Sequence, residues 1–223
     1  MGECKKAKQE LDAQQEHWDK TYSEEPDFFG EEPSWTARKA AEAFKREGKF
    51  RILEIGAGQG RDALFFAKSG FSVQALDYSE SAVGTINSKA QQMGLSEKIS
   101  AICHDIRKPL PFDDAAFDAV YCHMLYCMAL CTGELEALFQ EVRRVLKPHG
   151  LSIYTVRNTN DPHYRKGKHI TEDIYENAGF IVHFFSEEKI KQLSKGYTIL
   201  EISEFEEGEL PRRLFFVTLK KNQ

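Results

Sequence analysis

No run of about 18 apolar residues, the length a helix needs to cross a bilayer, occurs in this sequence, and its first residues are polar with no apolar signal core. No membrane association and no secretory leader are expected. Cysteine is scarce: Cys4, Cys103, Cys122, Cys127 and Cys131 are odd in number, and several fall in apolar segments. This fits reduced core thiols rather than a disulfide framework, so a cytoplasmic protein is expected. An excess of either charge is also missing. Thirty Lys and Arg against 35 Asp and Glu leave a net charge of -5, and the basic clusters Lys5 to Lys8, Arg143-Arg144 and Lys220-Lys221 are short. They read as solvated faces, and no nucleic-acid partner is expected.

What the chain does have is core material. Apolar residues make up 41% of its 223 residues, with 16 Phe and 8 Tyr, enough for a sizeable core. Lys5 to Tyr22 favours helix, with Leu11, Trp18 and Tyr22 roughly on one face. Pro26 and Pro33 bracket an aromatic loop before a second helix over Ser34 to Arg46, which Ser34 or Thr36 is placed to cap. Residues 1–47 thus form a helical extension. From 48 to 223 strands and helices alternate: strands at Arg51 to Ile55, Ser72 to Leu76, Ile99 to Cys103, Phe117 to Tyr121 and Leu151 to Val156, with helices at Arg61 to Lys68, Ser79 to Met93 and Gly133 to Leu146. Such alternation predicts an α/β domain with a parallel sheet covered by helices. After the fifth strand an insertion at about 157–185 carries a short helical piece near Thr171 to Gly179. A helix over Ser186 to Leu193 follows. Strands Thr198 to Phe205 and Leu214 to Leu219, joined by the turn-prone Glu206 to Pro211, then close the chain as an antiparallel hairpin.

Chemistry concentrates where strands end. Leu53-Glu54-Ile55-Gly56-Ala57-Gly58-Gln59-Gly60 runs from a strand through three alternate glycines into a helix, a context that brings backbone and helix N–H groups up to a ligand. A dinucleotide site would need a small residue at position 61. Arg61 is too bulky there, and the acid Glu54 beside the glycines opposes a pyrophosphate while suiting a cation. S-adenosylmethionine, with an ammonium, a sulfonium and no phosphate, meets that requirement. Ala75-Leu76-Asp77-Tyr78 ends the second strand about twenty residues on, where an acid can accept from both ribose hydroxyls. Asp77 suits this role, while Ser79 is the better cap for the next helix. His104-Asp105-Ile106 after the third strand offers a carboxylate for an adenine amino group and an apolar neighbour for the ring.

Glu54 to Arg61, Asp77, Asp105 and Val145-Leu146-Lys147-Pro148-His149-Gly150 together resemble the class I S-adenosylmethionine-dependent methyltransferase family over residues 50 to 220. The resemblance implies a Rossmann-like seven-stranded sheet with a reversed final strand. It also implies that Gly56, Gly58 and Gly60 face the methionine part, Asp77 the ribose, Asp105 with Ile106 the adenine, and His123 or Met124 the methionine part, with Tyr78 also at the cofactor. The Gly-Gln-Gly-Arg loop and His17-Trp18-Asp19-Lys20-Thr21-Tyr22 are similar to the small-molecule branch that includes tellurite-resistance and thiopurine methyltransferases. There the N-terminal aromatic segment closes over the cofactor, which makes Trp18 and Tyr22 a possible lid; anchoring of the helix to the core explains the same residues equally well.

Methyl transfer needs aligned, dehydrated reactants and no nucleophilic triad, and none is found. An alcohol or phenol acceptor would need a base, for which His123 and His163 are the candidates; Tyr126, Arg157, His163 and Tyr164 are candidates for holding a small-molecule acceptor. The rival readings are a cofactor-binding module without turnover and a methyltransferase for a thiol or metalloid acceptor specifically. Cys122, Cys127 and Cys131 raise a soft-metal or metalloid site, yet no Cys-x-x-Cys step occurs and the spacing fits a packed helix as well. No metal is expected.

Overall fold

The computed structural model describes residues 12–25, 27–208 and 212–223. The basic run Lys5 to Lys8, Leu11 and positions 209–211 of the expected turn lie outside them. The elements run α1 (Gln14–Glu24), α2 (Trp35–Arg46), β1 (Arg51–Ile55), α3 (Arg61–Lys68), β2 (Ser72–Asp77), α4 (Glu80–Gln92), β3 (Ile99–Cys103), β4 (Phe117–His123), α5 (Thr132–Val145), β5 (Leu146–Arg157), β6 (Lys168–Thr171), β7 (Ile174–Asn177), β8 (Phe180–His183), α6 (Glu187–Leu193), β9 (Tyr197–Glu207) and β10 (Arg212–Lys221).

Seven strands form one sheet in the order β3-β2-β1-β4-β5-β10-β9. The first five are parallel, while β10 is antiparallel to both β5 and β9. This is the expected Rossmann-like architecture with a reversed strand. Because side chains alternate across a strand, Leu53, Ile55, Val120, Cys122, Tyr154 and Val156 pack under α5 and α6, while Ile52, Ala75, Ala119, Tyr121 and Ile153 pack under α2, α3 and α4. Helix starts follow the capping residues: Ser34, Ser79 and Ser186 each accept from a backbone N–H one turn on.

The insertion corrects one expectation. The stretch from Thr171 to Gly179 is not helical; it supplies the turns and the central strand of a three-stranded antiparallel sheet, β6-β7-β8. Glu172 and Ala178 hold left-handed φ of 46° and 51° at the two turns, which breaks a helix. Burial of Ile174 and Ile181 against Cys131 overrides local propensity. A second departure concerns cysteine. Cys103, Cys122 and Cys127 are free, whereas Cys131 is disulfide-bonded. No described helix is long and apolar enough to cross a membrane.

Candidate cofactor site

β1 ends in the glycine loop. Gly56, Gly58 and Gly60 take φ of 73°, 52° and 86°, conformations open to glycine and costly for other residues. Gly56 and Ala57 donate backbone N–H bonds to Leu76 O at 2.8 and 3.0 Å, which splices the loop to the end of β2. A Cβ on Gly56 would stand 2.7 Å from Leu125, and one on Gly60 2.6 Å from Ile86; one on Gly58 would meet Tyr22, its hydroxyl at 3.1 Å. Thus two glycines are packed against protein, and Gly58 faces the N-terminal helix.

Asp77 joins loop and strand. Its Oδ2 accepts the Gly58 N–H at 2.8 Å and its Oδ1 the Ser79 N–H at 3.0 Å, while Ser79 Oγ caps α4 by accepting from Ala82 N–H. Burial pushes the Asp77 carboxyl up to about 6, partly offset by those N–H donors. Glu54, behind the loop, is buried with Oε2 unpartnered, and burial holds its pKa well above the ordinary carboxyl range.

A cleft of about 570 Å³, partly open to solvent, lies over these strand ends, and among its walls are Trp18, Gly56, Asp77, Tyr78, Asp105 and Ile106. Of the residues expected at a cofactor, Glu54, Gly58, Gly60, His123 and Met124 do not line it. Composition and motif reading missed Gln14, His104, Arg107, Leu125, Met128 and Leu130, which do. His104 carried a signal, since it opens the His104-Asp105-Ile106 run; the 125–130 stretch follows β4 and had none. The Asp105 carboxylate is clasped by Arg107, with Nε to Oδ1 and Nη2 to Oδ2 both at 3.0 Å. Partial burial raises the pKa of Asp105, but these bonds win and hold it below the usual range. Arg107 also pairs with Asp12.

α1 roofs the cleft. Trp18 and Tyr22 pack on Ala82 with Phe28, Tyr78, Met128 and Phe180 around them. Asp19 accepts from Ser79 Oγ at 2.6 Å, Tyr78 donates its hydroxyl to Gln14 O at 3.1 Å, and Gln59 of the glycine loop donates to Glu25 O at 2.7 Å. The same helix grips the small sheet, where Ile181 N–H donates to Gln14 Oε1 at 3.2 Å and His17 stacks edge-on to Phe180.

The acceptor candidates stand apart from the cleft lining. Tyr126 is fully buried against Phe139 and Tyr154. Arg157 is buried, its Nε 3.0 Å from Asp161 Oδ2, and its Nη2 donates to His163 Nδ1 at 2.7 Å; Tyr164 donates to Asp173 Oδ1 at 2.7 Å. His123, at the end of β4, is held between Thr155 Oγ1, Thr36 Oγ1 and Glu207 Oε2 at 2.8, 3.2 and 3.3 Å. Burial pushes the Cys127 thiol up to about 11 and drives Cys122 higher still, so neither is a thiolate at neutral pH. Among the described residues no group of three or more His, Cys, Asp or Glu could hold a metal ion.

Residues 52–150 match the family model of a methyltransferase domain. That match takes in the strands and helices from β1 to the start of β5 and covers less than half of the chain. It is 37% identical over 102 residues to the sterol 24-C-methyltransferase ERG6B of Gibberella zeae, a match covering 45% of this chain and 26% of that protein. The chain spans less than half the length of the curated relatives it matches. Among solved structures, the 1,6-didemethyltoxoflavin-N1-methyltransferase of Burkholderia thailandensis, with bound S-adenosylhomocysteine, superposes with a TM-score of 0.74 at 18% identity, covering 95% of this chain and 88% of that one. TehB from Haemophilus influenzae superposes with a TM-score of 0.64 at 18% identity, covering 83% and 62%. That Burkholderia neighbour thus holds the demethylated product of S-adenosylmethionine. The residues of this chain fit S-adenosylmethionine: acids rather than cations meet the glycine loop, and the buried Glu54 Oε2 and His104 Nε2 have no protein partner.

Proposed function

We propose that the chain transfers a methyl group from S-adenosylmethionine to a small-molecule acceptor. The observation that carries the reading is the splice of a left-handed glycine loop onto Asp77 beneath a roofed cleft. Bound there, the cofactor supplies an electrophilic methyl group on a sulfonium. Asp77, already oriented by two backbone N–H groups, keeps lone pairs for two ribose hydroxyls. Ile106 and Leu130 offer apolar surface to the base beside Asp105. Gly56, which lines the cleft, lets the backbone approach the methionine part, and the buried Glu54 oxygen behind the loop is left without a protein partner and open to an N–H donor. Trp18 and Tyr22, in the extension at residues 1–47, act as a lid that keeps water off the reacting atoms. The net charge of -5 and the absence of basic-aromatic interleaving in the sequence support a small molecule over nucleic acid as acceptor.

Calorimetry with S-adenosylmethionine, S-adenosylhomocysteine and NAD tests the cofactor half; binding of NAD and of neither sulfur nucleoside would overturn it. A radiolabelled methyl-transfer screen over thiols, metalloids, amines and phenols tests the reaction. Tight cofactor binding with no labelled product across that screen would favour the module without turnover.

A further inference from the structure

The cleft accounts for the nucleoside half of a cofactor, and the direction of the remaining half follows from strand order. β2, β1 and β4 are neighbours in that order, and continuing the parallel register Leu53 with Val120 and Glu54 with Tyr121 sets Gly56 abreast of His123. With its ribose on Asp77, a cofactor's sulfonium end therefore points toward the end of β4. There the chain gathers groups that nothing so far has used.

His123 has both ring nitrogens occupied. Nδ1 faces Thr155 Oγ1 at 2.8 Å and Thr36 Oγ1 at 3.2 Å, and Nε2 faces Glu207 Oε2 at 3.3 Å. The neutral tautomer that satisfies all of these accepts a hydroxyl proton at Nδ1 and donates Nε2–H to the carboxylate. An imidazole held this way has no nitrogen left for a substrate. Glu207 is different. Its side chain is 24% exposed, and among the described residues its one close polar side-chain contact is His123 Nε2 at 3.3 Å. The carboxylate is partly buried, and the groups that favour its charge are the His123 imidazole from β4 and the guanidiniums of Arg212 from β10 and Arg61 from the first turn after the glycine loop. Burial pushes its pKa up, but the bond from His123 and these charges prevail and keep it ionised at neutral pH.

Resting on the methyl-transfer reading, we infer that Glu207 is the catalytic proton acceptor, that His123 is its positioning residue, and that the methyl acceptor reacts through a nitrogen or oxygen that carries a proton. A lone pair on that atom forms the new bond to the methyl carbon. The carbon–sulfur bond breaks with its electron pair going to sulfur, the sulfonium becomes a neutral thioether, and the proton passes to the free Glu207 Oε1 and then to water. A thiolate or a metalloid oxyanion would need no such group. The acceptor class is thus a protic amine or phenol. Neither residue type nor spacing pointed to Glu207, which reaches the site only through the strand reversal at β9 and β10.

The test uses the full chain with labelled S-adenosylmethionine and a panel of phenols, primary amines and alkanethiols. The wild type should label phenols or amines, and Glu207→Gln should lower that kcat by about 100-fold while cofactor Kd and thermal midpoint stay put. The variant's rate should also rise with pH toward the acceptor's own ionisation, where the wild-type rate is flat. His123→Asn should lower kcat less than Glu207→Gln and leave KM unchanged. If the wild type transfers methyl groups and Glu207→Gln matches it in rate and pH profile, or if the wild type labels alkanethiols alone, the assignment of Glu207 is overturned while the methyltransferase reading stands. If no label is transferred by the wild type, both fall. Should Glu207→Gln fail to fold, Glu207→Asp, which withdraws the carboxylate by one methylene, must lower kcat by about tenfold at constant Kd; an unchanged kcat overturns the assignment.

Discussion

The glycine loop and the segment from 157 to 185 both follow strands of the same sheet, yet they are held in opposite ways. Backbone holds the loop: Gly56 and Ala57 donate to Leu76 O, and Gly58 to Asp77. Buried side-chain charge holds the segment. Asp161, fully buried, takes Arg157 Nε at 3.0 Å along with the backbone N–H groups of His163 and Arg213, and buried His183 sits 2.6 Å from Lys189 Nζ, itself 3.7 Å from Glu172. A loop fixed by its own backbone depends on its glycines, whereas a segment fixed by buried charges depends on each partner, because removing one strands the other. The first arrangement suits a ligand cradle and the second a scaffold.

The sharpest way to break this contrast is Asp161→Ala. It leaves the Arg157 guanidinium buried without its counter-charge and two N–H groups without an acceptor, so urea unfolding should show a loss of about 3–5 kcal/mol. Cofactor Kd, measured without denaturant, should move less than twofold. An intact midpoint with a collapsed Kd would place Arg157 and Asp161 in the ligand site instead.

Asp77 gives the opposite signature through pH. In the folded chain it titrates at about 6 against an ordinary 3.8. The folded state therefore binds this proton more tightly than the unfolded one, and ionising Asp77 costs the fold about 3 kcal/mol at neutral pH. Its contribution to stability rises as pH falls through 6 and levels off near 4. Cofactor affinity should run the other way, weakening about tenfold per unit below pH 6 as the ribose acceptor is protonated. Calorimetry across pH 4.5 to 8 reads this dependence, and Asp77→Asn should flatten it. A wild-type affinity that stays level across pH 6 removes Asp77 from the ribose site.

Gly56→Ala should move both readouts at once. The left-handed φ of 73° and a Cβ 2.7 Å from Leu125 predict a loss of about 2 kcal/mol. Leu125 lines the cleft, so its displacement should weaken cofactor binding as well. Thermal unfolding with and without cofactor separates the two effects.

How much of this was legible in the sequence depended on whether the cause was local. Gly56, Gly58 and Gly60 announced their left-handed turn because only their neighbours enter the argument, and Asp77 because it ends a strand at a fixed distance from them. Ser34, Ser79 and Ser186 marked helix starts for the same reason. Where tertiary contacts decide, local reading failed: Thr171 to Gly179 has helical propensity but is drawn into a sheet by Ile174 and Ile181 packing on Cys131. Arg157 ends β5 where a polar stretch begins, and only the fold shows that its guanidinium is buried on Asp161. Glu207 meets His123 from 84 positions away along the chain, a distance that no spacing rule spans.

The smallest effect expected is also the one that separates a lid from an ordinary packed helix. α1 has Trp18 and Tyr22 as its buried residues, each less than a tenth exposed, and no cap hydrogen bond at its N-terminus, so tertiary contacts rather than its own caps hold it. One of those contacts is the bond from Ser79 Oγ to Asp19 Oδ1 at 2.6 Å, and Ser79 adjoins Tyr78 and Asp77 of the cleft. Asp19→Ala removes that latch from an exposed helix position and should cost about 1 kcal/mol. If α1 is a lid, the cost falls on the closed state alone: cofactor Kd weakens about fivefold, and amides 14–24 exchange faster without cofactor and recover protection with it. If α1 is a fixed part of the core, the same 1 kcal/mol appears in global unfolding, and exchange across the helix is equal with and without cofactor. Gln59, which donates to both Tyr22 O and Glu25 O, ties the glycine loop to this helix, so occupancy of the loop has a direct route to it.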